Sequence, residues 1–392
     1  MKVLFLGYAI SMEEANKITG ASVAGNKMQL SILEYMNNAI DELYSVTVYP
    51  LASFPQAKKI YVGKEELLIS EKLKSLRVPY WNIPILKQVS QIISIYRFAR
   101  RYVKNNQDAV IVTWNMYPQV GIPAVWLQKK YGASIIPILA DLPIDDNYQR
   151  TGLSSWLRRI FDDSTVKNIK KADKVIALNK HAVAKFAQGI EYLIIEGGVE
   201  PKDYQEQERD KKGLISEKRI IYGGSLAEYS GIKELVDAMR YVQDDNISLC
   251  IYGDGYWKEY VKECKQKNVN YCGMVSNAEM LNMQKEAWLL VNPRPIDDKI
   301  AQVTFPSKIF EYLMSGTPVL STRLNGFTEE YFDKMFWVEK NTPQELAKAI
   351  NEISDFSEDE LELLANKARY FILEEKNWKA QCDKIIAFLK KK

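Results

Sequence analysis

From end to end, apolar runs of strand length alternate with stretches of helical periodicity, and this alternation restricts the chain more than any other feature. Parallel strands need a long crossover between them, so the pattern predicts parallel sheets covered by helices, an α/β fold. In the first half, strands are expected at residues 3–6, 46–49, 109–113, 134–139, 174–178 and 192–195. In the second half they are expected at residues 219–222, 248–252, 269–271, 289–291, 319–321 and 336–338. Residues 200–213 are highly charged and almost free of aliphatic side chains, which marks a linker.

A chain of 392 residues is too long for one compact core. Two doubly wound, Rossmann-like domains are therefore expected, at residues 1–198 and 218–374, with a linker at 199–217 and a terminal segment at 375–392. Each would open a nucleotide-sized crevice at the carboxyl ends of its strands, the two facing each other across a cleft. In the terminal segment Cys382, Ile385, Ile386 and Leu389 recur at helical spacing, so this helix needs a surface to dock on.

With 53 basic and 50 acidic residues, no concentrated positive surface is indicated and nucleic acid is not an expected partner. No apolar run reaches the length of a membrane-spanning helix, and the amino terminus turns polar too soon for a signal peptide. A cytosolic location is expected, or attachment to the cytosolic face of a membrane. Cys250, Cys264, Cys272 and Cys382 follow neither metal-ligand nor disulfide spacing and are expected to be reduced and buried. The single histidine, His181, reads as a helix-surface residue, and no metal site is expected.

Residues 304–320 carry the densest chemistry. Pro306 suits a first helical position, because it lacks an N–H and its φ is already helical. Helical rotation places Ser307, Lys308 and Glu311 within one quadrant and Ile309, Phe310 and Leu313 on the opposite side. The polar face has two readings: an anion site built on the helix N-terminus and Lys308, or the solvated side of an ordinary amphipathic helix. Glycine turns precede it after strands, at Gly223-Gly224-Ser225 and Gly253-Asp254-Gly255, followed by Asn292-Pro293-Arg294-Pro295. A lone glycine pair is a turn, but this ordered set would line one crevice.

In that order, Gly223-Gly224, Gly253-Asp254-Gly255, Gly273-Met274-Val275-Ser276, and Glu311 through Gly316-Thr317-Pro318-Val319 make residues 219–330 resemble the donor-binding domain of retaining glycosyltransferases of the GT-B fold, family 4. The first half carries a thinner resemblance, in residues 3–7 and the glycine-flanked loop from Gly20 to Lys27. The resemblance implies a nucleotide-diphosphate sugar as donor, with the diphosphate at Ser307 and Lys308 and the ribose at Glu311. The donor set would be Gly20, Gly25 and Asn26 with Gly224, Ser225, Gly253, Arg294, Pro306, Ser307, Lys308 and Glu311. It further implies front-face transfer with retention to a hydroxyl of a glycan or lipid-linked saccharide, in surface polysaccharide biosynthesis. Neither metal nor cofactor is implied, and the terminal helix would pack back on the first domain. Such a site works by positioning and charge stabilisation.

The chain departs from the family pattern in three places. Val303 stands where a carboxylate is common, Ser225 and Ser230 stand where an arginine and a lysine are common, and no histidine lies near Ala140-Asp141. Arg294 is expected to replace part of the missing positive charge, the alternative being a surface salt bridge. Residues 114–117 and 141–146 follow strands and should open onto the cleft, with Asp141 either near the acceptor hydroxyl or serving as a turn residue. Asp141, Arg294 and Lys308 form the expected catalytic set. Residues 92–104 and 155–161 mix apolar, aromatic and basic side chains, as peripheral membrane helices do and as core helices with basic outer faces also do. Competing readings are a catalytically silent partner subunit of the same shape and a sugar-nucleotide epimerase. A dinucleotide-binding oxidoreductase is disfavoured, since no G-x-G-x-x-G follows Gly7.

Overall fold

The computed structural model describes residues 1–18, 21–71, 73–143, 153–201, 218–297 and 305–391. They form two compact units, Met1–Gly197 with Trp378–Lys392, and Gly198–Asn377. Every strand expected from the sequence is present, the second beginning at Glu42 rather than Val46.

The first unit is built on β1 (Lys2–Gly7), β2 (Glu42–Thr47), β3 (Tyr61–Val62), β4 (Glu65–Ser70), β5 (Leu73–Arg77), β6 (Tyr80–Trp81), β7 (Val110–Trp114), β8 (Ile135–Leu139), β9 (Lys174–Ala177) and β10 (Glu191–Ile194). Its main sheet runs β10-β9-β8-β7-β1-β2-β5-β4, so the strand order reverses between β1 and β7. All neighbours pair in parallel except β4, which lies antiparallel on β5 at the edge. The strands β3 to β6 were not expected. β3 and β6 have two residues each, and Glu65, Glu66, Lys74 and Arg77 break up the apolar positions of β4 and β5, so none shows in a search for apolar runs.

Helices α1 (Met12–Lys17), α2 (Val23–Ala39), α3 (Leu86–Asn105), α4 (Pro118–Tyr131), α5 (Leu153–Ile169) and α6 (Lys180–Phe186) flank this sheet. The sequence reading took Gly20 to Lys27 as a loop, but helix α2 begins at Val23, capped by the Ser22 hydroxyl, which accepts from Gly25 N–H. An N-cap serine supplies the start signal, and leucine, isoleucine and methionine one and two turns on supply the buried face.

The second unit contains β11 (Lys218–Gly223), β12 (Ile247–Tyr252), β13 (Val269–Gly273), β14 (Leu289–Asn292), β15 (Val319–Thr322) and β16 (Phe336–Val338). All pair in parallel in the order β13-β12-β11-β14-β15-β16. This order, 3-2-1-4-5-6, is that of a doubly wound dinucleotide-type sheet. Alternation along β11 feeds two cores: Ile220 and Tyr222 point into one, Ile221 into the other. The helices are α7 (Ile232–Ala238), α8 (Lys258–Lys262), α9 (Asn277–Glu286), α10 (Lys308–Met314), α11 (Pro343–Ser354), α12 (Glu358–Glu375) and α13 (Trp378–Lys390).

Helix α13 belongs to the first unit. Trp378, Cys382, Ile385 and Leu389 join Ile32, Leu33 and Met36 of α2 in one buried cluster, and Gln381 donates to the Gly197 carbonyl at 2.7 Å. Cysteine burial is less uniform than expected. Only Cys382 is buried, whereas Cys250 and Cys264 are half-buried and Cys272 is exposed. His181 is exposed on α6. Residues 202–217, most of the expected linker, lie outside the described residues.

Candidate functional site

In open α/β sheets a crevice forms beyond the carboxyl ends of the strands where the order reverses. The second unit places its unusual chemistry there, at the ends of β11, β12 and β14. Gly224, just past β11, has φ 143°, and a Cβ on it would lie 1.6 Å from the Lys308 ammonium. Glycine is thus what lets Lys308 lie across the turn. The Lys308 Nζ donates to the Tyr222 hydroxyl at 3.2 Å and sits 4.5 Å from that ring's centre. Tyr222 in turn donates to the Ser225 carbonyl at 2.8 Å, which ties the first glycine turn to the lysine. Gly253 lies underneath, with φ 139° and no room for a side chain against the Gly224 carbonyl.

Lys308 is half-buried, and its pKa falls to about 8. Burial is the largest cause; the Glu311 carboxylate opposes the fall and the nearby Arg294 guanidinium adds to it. Arg294 follows β14 and stacks over the Tyr229 ring at 5.3 Å. The Arg294 charge adds to the cost of an ammonium in a desolvated place, a cost that a bound anion would offset. The arrangement therefore stores affinity for a negatively charged group.

Helix α10 differs from the expectation in its start. Pro306 lies ahead of the cap, its carbonyl accepting from Ile309 N–H at 2.9 Å, and Ser307 is the cap, with helical dihedrals and no side-chain cap bond. At seven residues the helix offers a weak dipole, so the positive charge at this turn is chiefly that of Lys308. The two faces separate as the rotation predicts: Ile309, Phe310 and Leu313 are buried, Ser307 is exposed and Glu311 half-buried. Ser225 is exposed, while the Ser230 hydroxyl is buried without a hydrogen-bond partner. Val303 lies outside the described residues.

The first unit has its own crevice, again at the point of reversal. A cavity of about 480 Å³ lies beyond β1, β2, β7 and β8, lined by Tyr8, Tyr49, Lys87, Trp114, Tyr117 and Asp141 among others. Aromatic walls with amide and charged groups between them suit a polar ring compound such as a saccharide. Asn115 organises its floor. It is buried with φ 59°, its Oδ1 accepts from the N–H groups of Ala140 and Asp141 at 2.8 and 2.9 Å, and its Nδ2 faces Asp141 Oδ2 at 3.5 Å. Asp141 stays open to water at the rim, yet the protein around it raises its carboxyl above the usual carboxylate range, against the opposing hydrogen bond from Asn115.

Of the residues expected to reach the donor from this side, Gly25 and Asn26 lie on the first turn of α2 and line this cavity; Gly20 lies outside the described residues. The Asn26 amide is engaged at both ends by Ile10, accepting from its N–H at 3.0 Å and donating to its carbonyl at 2.9 Å. The structure thus gathers Gly224, Ser225, Gly253, Arg294, Lys308 and Glu311 within the second unit, and Gly25, Asn26 and Asp141 within the first. Sequence reasoning assigned no role to Tyr222, Tyr229 or Lys87, and named Asn115 only as part of a segment that opens onto the cleft. Tyr222 sat in plain view at the end of a strand before a glycine pair, whereas nothing local marks Lys87 as lining a cavity. Among the described residues no three histidine, cysteine or carboxylate side chains cluster as metal ligands.

Residues 217–355 match the family described as glycosyl transferases group 1. No curated protein sequence matches the chain. Among solved structures, sucrose-phosphate synthase from Thermosynechococcus elongatus aligns over 100% of this chain and 98% of its own, with 15% identity and a TM-score of 0.67. A glycosyltransferase from Rickettsia africae aligns over 100% of both chains, with 14% identity and a TM-score of 0.68. Anabaena Alr3699/HepE in complex with UDP aligns over 99% of both, with 17% identity and a TM-score of 0.64. The same protein has also been solved with UDP-glucose. The fold is accordingly the pair of Rossmann-like domains of GT-B glycosyltransferases.

Proposed function

We propose, from the premise that the second unit is a glycosyl transferases group 1 domain, that this chain transfers a sugar from a nucleotide-diphosphate donor to a hydroxyl of a glycan or lipid-linked saccharide. The observation that carries the reading is Lys308, desolvated across the glycine turn at Gly224, with the Arg294 charge near enough to lower its pKa further. A diphosphate is the anion whose size and charge suit two adjacent cations beside a backbone stripped of side chains. Glu311, one helical turn beyond Lys308, would accept hydrogen bonds from the ribose. That HepE binds UDP and UDP-glucose in the same fold makes a uridine nucleotide the first donor to test.

In this reading the anomeric carbon–phosphate bond breaks as the acceptor oxygen approaches on the same face. Lys308 and Arg294 stabilise the negative charge that builds on the leaving diphosphate, and a phosphate oxygen takes the acceptor's proton. Retention of anomeric configuration follows from front-face attack. The protein supplies the cationic charge itself, so we propose a reaction independent of metal and of any cofactor besides the donor. Asp141 sits at the rim of an aromatic cavity where an acceptor hydroxyl would be oriented. A role in surface polysaccharide assembly at the cytosolic face of a membrane fits an acceptor of this kind.

Two outcomes test the reading. UDP should raise the melting temperature of the purified chain, and the chain alone should turn over UDP-glucose or another UDP-sugar, by transfer or by slow hydrolysis. Stabilisation without any turnover across a panel of nucleotide sugars would favour the silent-subunit alternative. Acidity supplies a second check. Lys308 loses its proton above about pH 8 in the free protein, and a bound diphosphate favours the charged form. UDP affinity should therefore be nearly level from about pH 7 to 8 and fall by up to tenfold per pH unit above that, as measured by titration calorimetry. A level profile to about pH 9.5 would show that Lys308 does not face the phosphates.

A further inference from the structure

Helix α3 has an inner face that the core already satisfies: Gln91, Ile95, Ala99, Tyr102 and Val103 are buried. Its outer face should then be polar, and its second half is, with Arg97, Arg100, Arg101 and Lys104 exposed. The first half is not. Leu86, Val89 and Ile93 are exposed one turn apart on that outer face, and they continue into Trp81, Ile83 and Ile85 of the preceding loop. Ile85 is 65% exposed, Ile93 58% and Trp81 48%. Trp81 packs on Tyr61 with ring centres 5.1 Å apart, which adds exposed Tyr61 and Ile60 to the same patch.

Backbone strain falls on the same spot. Ile85 occupies the cap position of α3 with φ 69°, and no side-chain cap bond is made. With ψ −56°, Ile85 is the centre of a γ-turn closed by the Leu86 N–H donating to the Pro84 carbonyl at 2.8 Å, a strained geometry for a β-branched residue. The turn holds the isoleucine side chain out in water, which an apolar phase would remove.

The charge of the surroundings identifies the phase. Between Glu71 and Asp108 the sequence has no acidic residue, and α3 alone carries Lys87, Arg97, Arg100, Arg101 and Lys104. Lys58 and Lys59 flank the hairpin edge of the patch and are exposed. Glu66, on the neighbouring strand, is the carboxylate nearest the arginine end, and the exposed charges of the helix itself are all basic; an apolar wedge with such a rim complements an anionic lipid surface. We propose that this face of the first unit docks on an anionic bilayer, with Trp81, Ile83, Ile85, Leu86, Val89 and Ile93 entering the headgroup region and the arginines resting on lipid phosphates.

The patch adjoins the cavity. Lys87, on the first turn of α3, donates to the Leu51 carbonyl at 2.5 Å, and both residues line the aromatic crevice. A bilayer under α3 would therefore bring a lipid-anchored saccharide to the crevice mouth. The proposal deepens the membrane role suggested above and moves its centre toward the residues before the 92–104 segment. Its test needs no donor, so it can fail while donor binding stands.

The purified full chain should float with vesicles of phosphatidylcholine containing about 30% phosphatidylglycerol at low salt, and less at about 0.5 M salt, where the electrostatic part is screened. Ile85→Asp with Ile93→Asp should reduce the floating fraction roughly tenfold. Leu363→Glu with Tyr370→Glu, on equally exposed apolar positions of α12, should leave flotation unchanged. A far-UV circular dichroism spectrum and a cooperative melting transition like those of the unaltered chain show that each variant is folded. Absence of flotation at low salt overturns the proposal, as does equal flotation of the Ile85/Ile93 variant. A concentration-dependent dimer that this variant dissolves, seen by sedimentation velocity, also overturns it and assigns the face to a second copy of the chain.

Discussion

Lys308→Ala should weaken UDP binding by about two orders of magnitude, roughly 3 kcal/mol, and abolish measurable transfer. The size follows from what is removed: a full charge, desolvated beside Arg294, aimed by Tyr222 across a glycine turn. A charge-assisted bond in such a place is worth more than one at the surface, because water cannot replace it. The free protein should not suffer. Losing a lysine whose charge is penalised by burial leaves the melting temperature level or raises it, so a loss of UDP affinity cannot be ascribed to unfolding. Arg294→Ala, which removes the second cation but leaves Lys308 in place, should cost about tenfold in affinity. Calorimetric titration of both variants reads the effect; wild-type affinity in Lys308→Ala would place the nucleotide elsewhere.

Gly253→Ala should destabilise the second unit by about 3–5 kcal/mol, the range of a severe core change. A Cβ at that residue would lie 1.8 Å from the Gly224 carbonyl, and its φ of 139° is one that side chains avoid. Both partners are backbone. The Gly224 N–H donates to the Tyr252 carbonyl and the Gly253 N–H to the Gly273 carbonyl, so neither turn can retreat without breaking a strand-end bond. Gly132→Ala is the control. Its φ is 71°, but nothing lies within 4 Å of the added carbon, so only the left-handed penalty of about 1 kcal/mol remains. Urea denaturation of the three proteins separates the two costs, and a small effect at Gly253 would mean that the two turns do not pack as described.

The site was partly legible for a reason particular to glycine and proline. Positive φ and close backbone approach are demands that only certain residues meet, so Gly224, Gly253 and the Gly316-Thr317-Pro318 helix end announce themselves one by one in the chain. Periodicity did as much for α10, whose apolar face of Ile309, Phe310 and Leu313 is buried as rotation requires. Neither signal reaches side chains that meet only through folding. Lys308 and Tyr222 are separated by 86 residues, and Asn115 grips the backbone of Asp141 across two parallel strands. The edge strand β4 and its neighbour β5 escaped notice because charged residues interrupt their apolar positions.

Alternating apolar runs and helical periods, together with ordered glycine turns, determined from sequence alone that this protein is a pair of doubly wound α/β units with tight glycine turns at the strand ends of the second. Those features are local, set by backbone geometry and by which face of each element must leave water. Tertiary structure decided the rest: that Lys308 is desolvated beside Arg294 and has its pKa lowered to about 8, that the presumed Gly20 loop is largely a helix, and that α3 leaves isoleucines in water beside a basic rim. Burial, proximity of charge and exposure belong to pairs of residues distant in the chain, and no window of sequence contains both members.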